Sequence, residues 1–136
     1  MAQPPVRVLI VGASVAGLAV ARALRLAGIR PELVEKLAPT VVAGAGIFLP
    51  GNAIRALREL GLDNPLRPLG AVIRRQRFLD ATGAELCSVD LEQLWQGVGQ
   101  CRALPRADLH QVLLTGAGGE VRYHTEVCDV EVGDET

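Results

Sequence analysis

An α/β fold built on a parallel β-α-β unit is predicted by three features of the first 35 residues. Val6 to Val11 is β-branched and almost continuously apolar, as a strand covered on both faces of a parallel sheet should be. Helix formers run from Ala16 to Ala27, with Leu18, Ala21, Leu24 and Ala27 on an apolar face, Arg22 and Arg25 outside it, and Gly28 as the stop. A second short strand, Glu32 to Glu35, follows, and a helical connection between two strands implies that they pair in parallel.

The regular alternation ends there. Lys36 to Thr40 reads as a loop, and Val41 to Leu49 is apolar but interrupted by Gly44 and Gly46. Pro50, Gly51 and Asn52 introduce a helix to about Leu60, with Ala53, Leu57 and Leu60 on one face and Gly61 as its stop. Ala71 to Leu79 and Ala84 to Asp90 read as a hairpin around Ala81-Thr82-Gly83, while Leu91 to Gln100 carries no decisive period. Pro105 in the first turn starts a helix over Arg106 to Leu114, ended by a loop from Gly116 to Gly119. Val121 to His124 and Val127 to Val132 are the last strand candidates, the second half-buried because Asp129 and Glu131 alternate with valines. One domain is expected, with no repeat or linker.

Composition narrows the function classes. Among 136 residues, 49% are hydrophobic and only four are aromatic (Phe48, Phe78, Trp95, Tyr123), so small aliphatics fill the core and base-stacking platforms are excluded. A net charge of −1 argues against nucleic-acid binding, which needs a basic excess. Residues 1 to 77 hold 11 Lys/Arg against 4 Asp/Glu, and the remainder 3 against 11. Either the first half greets an anionic cofactor, or the halves interleave in space and cancel. Arg74, Arg75 and Arg77 form the densest basic stretch and read as a solvated strand face or a contact to another part of the protein. Cys87, Cys101 and Cys128 match no CxxC or zinc spacing, and His110 and His124 stand alone, so reduced thiols and no metal site are expected. The uncharged run from Val8 to Ala21, followed by Ala21-Arg22-Ala23, imitates a secretory signal but is too short to span a bilayer; the expectation is a cytoplasmic chain with no membrane contact.

The chemistry concentrates in Gly12-Ala13-Ser14-Val15-Ala16-Gly17, where the first strand hands over to the first helix. This is the place of the GxGxxG dinucleotide fingerprint, with Ser14 at the second glycine position. Small residues are needed there because a pyrophosphate must approach the backbone, receive its N–H groups and sit at the positive end of the helix. Glu35, at the end of the second strand, is placed to accept both hydroxyls of a ribose and to repel a 2′-phosphate.

With those residues in place the chain resembles the amino-terminal part of the class A flavin-dependent aromatic monooxygenases, the para-hydroxybenzoate hydroxylase family. The likeness is carried by the stretch from Val8 to Leu18, by Leu33-Val34-Glu35-Lys36, by Gly44 to Leu49 with Asn52 to Leu57 and Leu60-Gly61-Leu62, and by Arg106-Ala107-Asp108-Leu109. It implies a Rossmann-like FAD-binding fold and FAD as the resident cofactor, with NADH or NADPH as a transient electron donor. By the same resemblance Gly12, Ser14, Ala16 and Gly17 match the pyrophosphate turn, and Glu35 with Lys36 the adenosine ribose. Arg106 matches an arginine reaching the phosphate and ribityl region, Val127 a residue whose backbone meets the adenine, and Gly44 to Ile47, including Gly46, lie towards the flavin ring.

Members of that family are nearly three times longer and carry downstream Asp-Gly and Gly-Asp motifs and a sheet over the substrate, which have no counterpart here. Residues 1–136 are therefore expected to be a single amino-terminal part of an FAD-binding domain, incomplete relative to the family fold, prone to self-association or in need of a complementary chain. The expected parent is an NAD(P)H-dependent monooxygenase acting on a small, aromatic substrate, the chain alone being inactive. An FAD-dependent reductase or halogenase of the same architecture, or a non-catalytic dinucleotide-binding module, shares these features. An NAD-dependent dehydrogenase would continue with regular β-α units after Glu35, which this chain does not.

Overall fold

The computed structural model describes residues 7–39 and 45–133. In chain order the elements are β1 (Leu9–Val11), α1 (Val15–Leu26), β2 (Glu32–Val34), β3 (Gly46–Leu49), α2 (Gly51–Glu59), α3 (Asp63–Leu66), β4 (Ala71–Val72), β5 (Arg75–Leu79), β6 (Glu85–Asp90), α4 (Leu91–Leu94), β7 (Arg102–Pro105), α5 (Arg106–Ala117) and β8 (Val121–Arg122). They gather into two compact units, one of residues 1–42 with 113–136 and one of residues 43–112.

The first unit holds the expected β-α-β motif. β1 and β2 pair in parallel with Leu9 opposite Glu32, Ile10 opposite Leu33 and Val11 opposite Val34. β8 extends the sheet in parallel on the far side of β2, giving the order β1-β2-β8. Leu18 and Ala21 of α1 are buried with Leu33, Val34, Leu113, Ala117 and Val121, a core of small aliphatics. α1 stops at Gly28, whose φ of +82° suits glycine. There the N–H of Gly28 donates to the Arg25 carbonyl and that of Ile29 to the Leu24 carbonyl, satisfying the last turn.

Three expectations for this unit are corrected. The first strand is shorter and is covered on one face only. Leu9 and Val11 are 52% and 62% exposed, while Ile10, on the opposite face by strand alternation, lies against Gly17 of α1. Val6 lies outside the described residues. Arg22, expected outside the apolar face, is half-buried, its guanidinium donating to the Gly116 carbonyl at 3.1 Å, at the negative end of α5. Arg25 likewise packs on Gly119. Finally, the last strand stops at Arg122, and Val127 to Val132 forms no strand. His124 takes φ +54° and turns the chain out of the sheet, and Val130 and Val132 are left exposed without a strand to pair with.

In the second unit β3, β7 and β4 form an antiparallel sheet in that order, with Gly46 opposite Pro105 and Ile47 opposite Leu104. α2 buries Gly51, Ile54 and Leu57, a face shifted by one position from the expected Ala53, Leu57 and Leu60. α3 answers to no sequence period. Arg102 donates to the carbonyls of Arg67 and Leu69 just beyond it. The expected strand from Ala71 to Leu79 is two strands, because the chain leaves β4 at Ile73 and β5 pairs in a separate hairpin with β6. The turn of that hairpin is held by Asp80, whose carboxylate accepts the N–H groups of Thr82 and Ala84 and the Thr82 hydroxyl. The undecided stretch after β6 opens as α4, capped by Asp90 accepting from the Gln93 N–H. Pro105 ends β7 instead of lying in the helix, and α5 runs on through Gly116 to Ala117. Cys101 is buried, Cys87 and Cys128 are exposed, and all three are free thiols.

Candidate functional site

The handover from β1 to α1 is set by two glycines. Gly12 has φ +101°, and its N–H donates to the Val34 carbonyl at 2.8 Å, tying the turn to the end of β2. At Gly17 a Cβ would run into the carbonyl oxygen of Gly12, so only glycine lets the helix start this close to the turn. Ser14 is the N-cap, extended at φ −79° and ψ −179°, and its hydroxyl makes no capping bond. The first helical bond runs from Leu18 N–H to the Ser14 carbonyl at 3.0 Å. The N–H groups of Val15, Ala16 and Gly17 precede that bond and have no intrahelical acceptor, and the first turn carries no acidic residue. Such a helix start attracts an anion.

Glu35 follows β2 and turns its carboxylate back to this loop. Its Oε2 accepts the Ala13 N–H at 2.9 Å and its Oε1 the Leu37 N–H at 2.9 Å. Its backbone is fixed as well, the N–H donating to the Arg122 carbonyl and the carbonyl accepting from Thr125 N–H, both at 3.0 Å. The Leu37 N–H, then the Ala13 N–H, hold the Glu35 carboxyl below its ordinary pKa, against a small opposing effect of burial, with help from Lys36. A cleft of about 340 Å³ opens beside it, lined by Gly12, Glu35, Lys36, Thr125, Glu126 and Val127 with Val11 and Val34. Lys36 and Glu126 form an exposed ion pair at 3.8 Å across its lining.

The candidate residues fall in two places. Gly12, Ser14, Ala16, Gly17, Glu35, Lys36 and Val127 all belong to the first unit, and four of them line the cleft. Gly46, Ile47 and Arg106 belong to the second, where Gly46 pairs with Pro105 and so neighbours Arg106, the exposed first residue of α5. Gly44 lies outside the described residues. Thr125 and Glu126 were not among the candidates. They reach the cleft because the turn at His124 carries the chain back past Glu35, and neither side-chain type marks that return in the sequence. The basic stretch is a solvated face, with Arg74 paired to Glu92 at 3.0 Å and Arg77 to Glu85 at 2.6 Å. These pairs and Lys36 with Glu126 join bases of the first half to acids of the second, while Arg7 with Glu32, Arg55 with Glu59 and Arg67 with Asp63 stay within the first. Among the described residues no group of three or more metal-ligating side chains occurs, and no helix is long and apolar enough to cross a membrane.

A glycine turn at a helix start, a carboxylate at the next strand end and a cleft between them define a dinucleotide-binding α/β fold. Residues 5–136 match the FAD binding domain family, and the chain belongs to that family. It is 31% identical over 129 residues to an FAD-dependent urate hydroxylase of Mycolicibacterium vanbaalenii, covering 92% of this chain and 32% of that protein. It is 33% identical over 131 residues to 3-hydroxybenzoate 6-hydroxylase 1 of Aquipseudomonas alcaligenes, covering 91% and 33%. The crystal structure of p-nitrophenol 4-monooxygenase PnpA from Pseudomonas putida shares the fold at a TM-score of 0.84 and 19% identity, over 94% of this chain and 34% of that one. The chain thus spans about a third of the length of these relatives.

Proposed function

We propose that these 136 residues are the amino-terminal, FAD-holding part of an NAD(P)H-dependent monooxygenase that hydroxylates a small aromatic compound. The observation that carries the reading is the cleft lined by Gly12, Glu35 and Val127, with the Glu35 carboxylate bonded to the Ala13 N–H of the glycine turn. The residues fit the cofactor, since the missing Cβ of Gly17 leaves the turn compact and the helix start offers N–H donors to a pyrophosphate. Ser14 and Ala16 add no bulk there, and Glu35 has acceptor capacity left for ribose hydroxyls. Lys36 is assigned to the ribose side, the Val127 backbone to the adenine, Gly46 and Ile47 to the flavin side, and Arg106 to the phosphate and ribityl region. When bound, FAD supplies the redox chemistry that passes one oxygen atom of O2 to the substrate, and the protein's share is to position it and exclude water.

The relatives named as hydroxylases of urate and 3-hydroxybenzoate support a small planar substrate. Two thirds of their length has no counterpart in these residues, so selection of the substrate and turnover are assigned outside them, and the chain alone is expected to be inactive. The reading places the protein in the cytoplasm, where NADH or NADPH is the donor. Paired substitutions at Ser14 test the phosphate turn. In the full-length parent Ser14→Gly keeps the turn open and retains FAD through purification, whereas Ser14→Leu fills it and abolishes retention, as read by flavin absorbance. A leucine variant that still purifies yellow contradicts the assignment.

A further inference from the structure

The chain itself engages both oxygens of the Glu35 carboxylate, which is more than a ribose acceptor requires. Its two carboxylate oxygens accept N–H groups from two separate segments, Ala13 in the glycine turn, 22 positions away, and Leu37 beyond β2, both at 2.9 Å. The backbone of the same residue is bonded on both sides, to Arg122 and to Thr125, so the carboxylate is presented from a fixed point. Ala13 itself is 4% exposed and follows Gly12, whose φ of +101° gives the turn its direction.

We infer that Glu35 is a positioning residue as well as a binding one: its carboxylate ties the Gly12–Gly17 turn to the exit of β2 and holds the turn in its anion-receiving shape before a nucleotide arrives. The inference rests on the reading above that the cleft takes the adenosine end of FAD. The two tasks are compatible. An ionised carboxylate offers about four lone-pair sites, of which the two backbone N–H groups take one on each oxygen, leaving one on each for the two ribose hydroxyls. Preorganisation of this kind moves the ordering cost of the turn from binding to folding.

The geometry sets distinct expectations for two conservative substitutions. Glu35→Gln presents an amide nitrogen, itself a donor, to one of the two N–H groups, so one bond is lost. Glu35→Asp is a methylene shorter and cannot span from Ala13 to Leu37. Amide hydrogen exchange on the chain without added nucleotide reads the tie directly, with Leu24 in α1, beyond the turn, and Ile54 in α2 as controls in the two units. The expected result for both variants is that exchange at Ala13 or Leu37 rises about tenfold or more, the loss of one charge-assisted bond, while the controls hold. In the unsubstituted chain the Ala13 protection, corrected for intrinsic exchange, falls as acid protonates the carboxylate, and in Glu35→Gln it does not follow pH.

Unchanged protection at both amides overturns the inference, and so does loosening in both variants that spreads equally to Leu24 and Ile54. FAD titration of the same variants separates this inference from the one beneath it. Weakened FAD with unchanged amides leaves a ribose role and removes the tie. Loosened amides with FAD affinity unchanged remove the nucleotide reading and leave the tie standing.

Discussion

Glu35 accepts N–H groups from Leu37 and Ala13, and these bonds favour its ionised form and lower its pKa. The folded pKa lies below the unfolded one, so the stabilisation is fully present above the unfolded carboxylate range and is lost as pH falls through the folded value. The thermal midpoint is therefore expected to hold from pH 7 to about 5 and to drop below about pH 4, with a smaller drop in Glu35→Gln. The comparison isolates Glu35 from Asp80, which is also lowered, by its Thr82 and Ala84 bonds, and contributes the same way in both proteins. Equal acid sensitivity in the two would contradict the assignment. The position of Glu35 beside the glycine turn was legible in the sequence because parallel pairing in a β-α-β unit brings the end of the second strand next to the end of the first. Thr125 and Glu126 were not, since their place in the cleft depends on a left-handed His124, which no pattern announces.

At the scale of elements, legibility followed period and length. α1, with three turns of apolar spacing and a glycine stop, formed within one residue of expectation, and the β5–β6 hairpin formed around the expected turn. α3 is one turn of Asp63-Asn64-Pro65-Leu66, too short to show a period. The split of Ala71 to Leu79 and the unpaired Val127 to Val132 were illegible because strand pairing depends on which neighbour is within reach. β1 read as a strand covered on both faces and is covered on one, and that difference has a consequence for association. Leu9 and Val11 present apolar surface on an edge strand, a surface that recruits other chains. Light scattering is expected to give at least twice the mass of a single chain at micromolar concentration, and Leu9→Lys with Val11→Lys to shift it towards the monomer. A monomer throughout would show that this face does not drive association.

For the molecule as a whole, the candidate residues divide between the two units, the glycine turn with Glu35 in one, and Gly46, Ile47 and Arg106 in the other. The chain belongs to the FAD binding domain family and spans about a third of its curated relatives, so nucleotide binding is the expectation to test on these residues alone. Titration of the chain with FAD, followed by flavin fluorescence, measures it directly. The account predicts weak, saturable binding that Glu35→Ala reduces by about 10- to 150-fold, the loss of roughly 1.5 to 3 kcal/mol from hydrogen bonds to a charged acceptor. Equal affinity in the two proteins, or no saturable binding in either, would contradict it.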